Sequence, residues 1–222
     1  MPFLRRRFFH PSRACAPLDG DDRPTSQSPM PTIRNICVYC GSSEGIDPRF
    51  GAAADALGAA MARAGYGLVF GGGGDGLMGR LARSVLANGG RVTGIIPTFL
   101  IRREHGISDI HELVEVEDMH TRKQLMFERA DAFVALPGGI GTLEELVEQL
   151  TWVQLQRHEK PVLIADIAGF WRPLLTLVAH MHNLGFIRPG FDLRYLVAER
   201  VEEVLPMIET AARRASSPLT FA

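Results

Sequence analysis

The chain has 222 residues, 46% hydrophobic and 22% charged, with a formal net charge of −1; this suffices for one sizeable core and is the composition of an ordinary soluble protein. The near-neutral balance argues against general nucleic-acid binding, and no apolar run approaches the roughly 20 residues needed to span a bilayer. Residues 1–30 stand apart, with five Arg, three Asp, Pro and Ser but no sustained periodicity, and are expected to form a disordered extension. The acid-free, Arg-bearing first 18 residues permit organelle targeting, and Met30 just before the first strand-like segment permits a misassigned start. Residues 31–213 are expected to form a single domain. In chain order the pattern reads strand 36–40, helix 50–64, strand 67–70, helix 76–88, strand 91–96, strand 113–116, helix 120–130, strand 132–136, helix 142–157, strand 161–165, helix 171–183, a short edge strand 195–197 and helix 201–213. Residues 214–222 follow as an expected flexible tail. This alternation predicts a doubly wound α/β fold, a mostly parallel sheet with helices on both faces.

In such a sheet ligands bind beyond the carboxyl ends of the strands. The loops expected there are Gly41-Ser42-Ser43, the run Gly71, Gly72, Gly73, Gly74, Asp75, Gly76, and the turn P-G-G-I-G-T-L-E-E at residues 137–145. In the last, a glycine-rich strand-to-helix turn presents unpaired N–H groups and the positive end of a helix dipole, which suits a phosphate. Thr142 followed three residues later by Glu145 is also a capping box, so Glu145 is either a helix-start acid or an active-site carboxylate.

Other chemistries fit less well. Gly71, Gly73 and Gly76 match G-x-G-x-x-G, but the motif follows the second strand and no ribose-binding acid stands about 20 residues on, which weighs against NAD. No lysine follows Gly141 as a nucleoside triphosphatase requires. The chain has two lysines, Lys123 and Lys160, and neither has an obvious companion site for pyridoxal chemistry. His180 and His182 are two apart on a predicted helix and point to different faces, while His105, His111 and His158 are isolated, so no metal site is expected. Three cysteines give no disulfide framework and fit a reducing, cytoplasmic setting. Cys37 and Cys40, three apart in a strand, face opposite ways and are expected as small core residues.

M-H-T-R-K at residues 119–123 and P-G-G-I-G-T-L-E-E at 137–145, with C-V-Y-C-G-S-S at 37–43 and G-L-M-G at 76–79, resemble in order the signatures of the Lonely Guy family of nucleotide phosphoribohydrolases. The resemblance covers residues 33 to about 208; proteins of this kind have often carried the label lysine decarboxylase. It implies a Rossmann-like fold, a homodimer and hydrolysis of the N-glycosidic bond of a purine ribonucleoside 5′-monophosphate, the base being adenine or an N6-modified adenine, without cofactor or metal. It implies Arg122 and Glu145 as catalytic residues. Substrate contacts are then expected from Lys123, Gly138, Gly139, Ile140, Gly141, Thr142, Leu143, Glu144, Glu104 and Thr151, with Ser42, Gly72 and Gly73 from the neighbouring loops. Trp152, Val153 and Leu155 fit a dimer face or a monomer core equally. The rival functions are a nucleotide-binding protein without turnover and an NAD-dependent oxidoreductase.

Overall fold

The apolar segments between helices pair into one seven-stranded sheet, every neighbouring pair parallel. The computed structural model describes residues 33–101, 105–107, 109–188 and 190–215; the N-terminal extension with Cys15, the last seven residues and Glu104 lie outside these. The elements are β1 (Asn35–Tyr39), α1 (Pro48–Arg63), β2 (Gly67–Phe70), α2 (Gly76–Ala87), β3 (Val92–Pro97), α3 (Thr98–Ile101), β4 (Glu112–Val116), α4 (Met119–Arg129), β5 (Ala132–Ala135), α5 (Ile140–Gln154), β6 (Val162–Ala165), α6 (Arg172–Asn183), β7 (Leu196–Ala198) and α7 (Val201–Ala215). Every expected strand and helix is present. The short α3 and a 3-10 turn at Ile167–Gly169 were not expected, and α7 runs two residues into the stretch read as a flexible tail.

The period-2 alternation of a strand sends neighbouring side chains into separate layers. From β1 and the residue that follows it, Ile36, Val38 and Cys40 pack with α1, α2 and α7, while Cys37 and Tyr39 pack with Met126 of α4 and Leu146, Leu150 and Val153 of α5. Cys37 and Cys40 are therefore free, buried and on opposite faces, as their spacing requires. Among the described residues no helix is long and apolar enough to cross a membrane.

The strand order is β4-β3-β2-β1-β5-β6-β7. The chain builds outward from β1 through β4, then returns beside β1 with β5 and builds the other way. The reversal opens a crevice between the carboxyl ends of β1 and β5, where an open sheet binds its ligand. Both flanking loops carry the motifs singled out above: Gly41–Ser43 and Pro137–Gly139.

Candidate active site

Helix α5 starts at Ile140 with Gly139 as its N-cap and no side-chain capping bond. This is two residues earlier than the periodicity predicts and puts Thr142 inside the first turn, so it cannot be the cap. The capping-box reading of Glu145 falls with it. Gly138 is fixed by packing, because a Cβ there would collide with the Thr142 side chain and lie 2.9 Å from the Gly41 backbone nitrogen. Gly139 and Gly141 differ. A Cβ on either would meet no atom within 4 Å, and neither has a positive φ. Nothing in the described fold demands glycine at these two positions, whereas close approach of an anion to the helix-start amides would.

The crevice wall is built from backbone laid against backbone. Gly41 donates to the Pro137 carbonyl at 3.1 Å and accepts from Met78 N at 3.2 Å. Gly76, at φ +58, touches the Ser42–Ser43 peptide so closely that a side chain would not fit. The three glycine or serine loops expected at this edge therefore do meet.

Arg122 and Glu145 converge between them. Asp118 caps α4 by accepting from Thr121 N at 2.8 Å, which sets Arg122 in the first turns facing the sheet. Its Nε donates to the Ile95 carbonyl and an Nη to the Gly71 carbonyl, both at 3.1 Å, so the fork is locked across the ends of β3 and β2. Another Nη lies 3.7 Å from the Glu145 carboxylate. Both side chains are nearly buried, at 7% and 10% exposure, and in that setting a charge is screened less than at the surface. Burial first, then the Glu145 charge, pushes the Cys37 and Cys40 thiols well above their ordinary range, so neither is a ready thiolate nucleophile.

Lys123 takes a structural position. Its ammonium bonds the carboxylates of Glu144 and Glu148, tying α4 to α5. Burial works against its charge, but these hydrogen bonds outweigh it and hold the group above the usual lysine range. Lys160 donates to the Phe127 carbonyl at 2.7 Å and sits over that ring; it lines no part of the crevice described above. Leu143 makes the first intrahelical bond, to Gly139 O, and packs on the core below. Gly72, at φ +78, crowds Ile96 and accepts from Ile107 N at 3.1 Å; it and buried Gly73 shape the loop after β2. Ser42 is exposed at the crevice rim. Thr151 is not brought to the site. It lies about 16 Å along α5 from Ile140 at 1.5 Å per residue, exposed, its hydroxyl bonded to the Val147 carbonyl. Trp152 and Val153 face the core, Trp152 edge-on to Phe127, whereas Leu155 is 58% exposed. Among the described residues no three His, Cys, Asp or Glu side chains group as a metal site.

Sequence reading leaves His105 isolated, yet its Nδ1 lies 2.8 Å from the Asp75 carboxylate across 30 residues. Only the fold brings the two together; no local pattern signals it.

Sheet and crevice place the chain in the class of doubly wound, Rossmann-like α/β proteins with a ligand site at the switch point. Solved structures share that fold: a molybdenum cofactor binding protein from Rippkaea orientalis (TM-score 0.61, 22% identity, covering 81% of this chain and 98% of that one) and the Moco carrier protein of Chlamydomonas reinhardtii (TM-score 0.61, 18% identity, 82% and 98%). Residues 78–208 match the protein family described as possible lysine decarboxylase. Sequence relatives are more specific. A cytokinin riboside 5′-monophosphate phosphoribohydrolase of Rhodococcoides fascians is 41% identical over 189 residues, 83% of this chain and 94% of its own length. One of Arabidopsis thaliana is 43% identical over 177 residues, 80% and 82%. The chain belongs to this family of phosphoribohydrolases, the Lonely Guy family.

Proposed function

We propose that the protein hydrolyses the N-glycosidic bond of a purine ribonucleoside 5′-monophosphate, releasing free base and ribose 5-phosphate. One observation carries the reading: a nearly buried carboxylate stands about one and a half turns inside a helix whose open N-terminus has two glycines that the fold does not need, and an arginine locked on the neighbouring α4 lies 3.7 Å from it. The phosphate docks on the amides of Gly139, Ile140, Gly141 and Thr142, and this anchor fixes C1′ before Glu145. As the C1′–N9 bond gives its electron pair to the base, positive charge grows on the sugar; the Glu145 carboxylate stabilises it and orients the water whose oxygen bonds to C1′, and the proton that water loses balances the one the departing purine takes up from the surrounding water. Arg122, permanently charged, holds Glu145 in place and offers the N–H groups not engaged by the Ile95 and Gly71 carbonyls to the sugar oxygens. The relatives' names support the same chemistry. A nucleotide carrier would need the cradle but not the Arg122–Glu145 pair.

We further infer a homodimer. On α5, α6 and the turn after it, the side chains Val147, Leu155, Leu177, Met181, Leu184 and Phe186 are exposed, and α6 has no fully buried residue, only Leu174 and Leu175 packing partly on the core. A second copy would cover them. Thr151, also exposed on α5, would then reach substrate only by way of the interface. We extend the reading to a cytoplasmic setting without nucleic-acid partners, which the buried free thiols among the described residues and the near-neutral charge support. Glu145→Gln tests the assignment: it should still bind AMP but release adenine about 10³-fold more slowly, and undiminished release would remove Glu145 from the mechanism.

A further inference from the structure

The glycines of the loop after β2 are not all glycine for one reason. Gly72 and Gly76 hold left-handed φ values of +78° and +58°, where a side chain is strained. Gly74 is pressed by the His105 carbonyl, backbone against backbone. Gly71 differs from all three. It is buried, its φ is not positive, and the three atoms that a Cβ there would meet first all belong to side chains. They are Nη2 and Cζ of Arg122, the first in outright collision, and the Met78 sulfur at 3.2 Å. The backbone would accept alanine at 71; the Arg122 head group would not.

Resting on the hydrolase reading above, we propose that Gly71 is a positioning residue for the reaction: its missing side chain is what lets the Arg122 guanidinium hold the pose in which it faces Glu145. The nitrogen that a Cβ would strike is the one that donates to the Gly71 carbonyl at 3.1 Å, so the head group occupies the space a side chain would fill. A guanidinium is a rigid plane. With Nε held on the Ile95 carbonyl, pushing Nη2 off Gly71 swings Nη1 as well, and Nη1 is the nitrogen 3.7 Å from the Glu145 carboxylate. That nitrogen also lies 3.7 Å from the Met119 sulfur, a soft neighbour that gives way rather than restoring the pose. The collision is relieved by the far end of one side chain, so the fold survives while the arrangement at the site is lost. A misplacement of about 1 Å at a reacting centre costs on the order of 10²-fold in rate. The phosphate cradle at 139–142 belongs to α5 and is untouched.

The test compares Gly71→Ala with wild type for kcat and KM on AMP, and measures the Tm effect of Gly71→Ala in the wild-type and Arg122→Ala backgrounds. Gly71→Ala should lower kcat at least about tenfold and leave KM within about threefold. It should lower Tm by about 5 °C in the wild type, the scale of one lost hydrogen bond to a charged group. In the Arg122→Ala background, where the methyl meets no guanidinium, it should change Tm by no more than about 1 °C. If Arg122→Ala does not fold, the split between kcat and KM decides. A kcat within threefold of wild type, an equal Tm loss in both backgrounds, or a Gly71→Ala chain that does not fold overturns this inference alone. No adenine from AMP with the wild type overturns the hydrolase reading and this inference with it.

Discussion

Arg122 and Glu145 show how two charges can be kept in a nearly dry site: the guanidinium is satisfied by two backbone carbonyls before it reaches the carboxylate. Glu145→Gln should lower kcat about 10³-fold, the scale of a lost carboxylate that acts on the reacting centre, with the melting temperature nearly unchanged. Arg122→Ala should both abolish turnover and destabilise by about 3 kcal/mol, since it strands buried polar partners; chemical denaturation separates the two effects. His158 belongs to the same scale. Packed between Phe127 and Phe133, it has its pKa lowered to about 4, first by burial and then by Lys160. Between pH 6.5 and about 4 the unfolded chain takes up a proton that the folded chain refuses, so stability falls as pH drops through that window and levels off below it. The loss should be about 2 kcal/mol, discounted for partial solvation. Denaturant midpoints across this range should show it in the wild type, and His158→Leu should flatten that part of the profile.

At the scale of elements, the start of α5 decides most. Gly138→Ala forces a Cβ into Thr142 and Gly41 and should cost about 2 kcal/mol through overpacking. Gly141→Ala meets empty space, so stability should hold while the KM for nucleotide rises about tenfold, the worth of one hydrogen bond to a charged phosphate. If Gly141→Ala leaves KM unchanged, the phosphate does not lie there. Most strands were legible in the sequence because the inner part of this sheet is covered on both faces, which makes β1, β2, β3, β5 and β6 mainly apolar, buried runs. Helix starts were less so. α1 begins at Pro48, two residues before its apolar pattern, because Asp47 caps it and proline suits the first turn; α5 begins at Ile140, which is 81% exposed and carries no core signal. The Asp75–His105 pair could not be read at all, since its members meet only after β3 and α3 fold the chain back onto the glycine loop.

Over the whole molecule, topology explains why residues 80 to 100 apart in sequence share one crevice: the chain reverses between β1 and β5, and the loops ending those strands are the first to meet. The motif pair at 119–123 and 137–145 made the chemistry readable, while Thr151 was carried over from the same resemblance and lies outside the crevice of its own chain. That mismatch and the apolar outer faces of α5 and α6 point the same way. Light scattering should give a dimer for the wild type, and Leu177→Asp/Met181→Asp should give a monomer; a monomeric wild type would remove the dimer from the account. The central claim is tested by incubating the purified chain with AMP and with adenosine and quantifying free adenine by chromatography. Adenine from AMP and none from adenosine is the predicted result, because the phosphate anchor positions C1′. Equal release from both, or none from AMP, would contradict it.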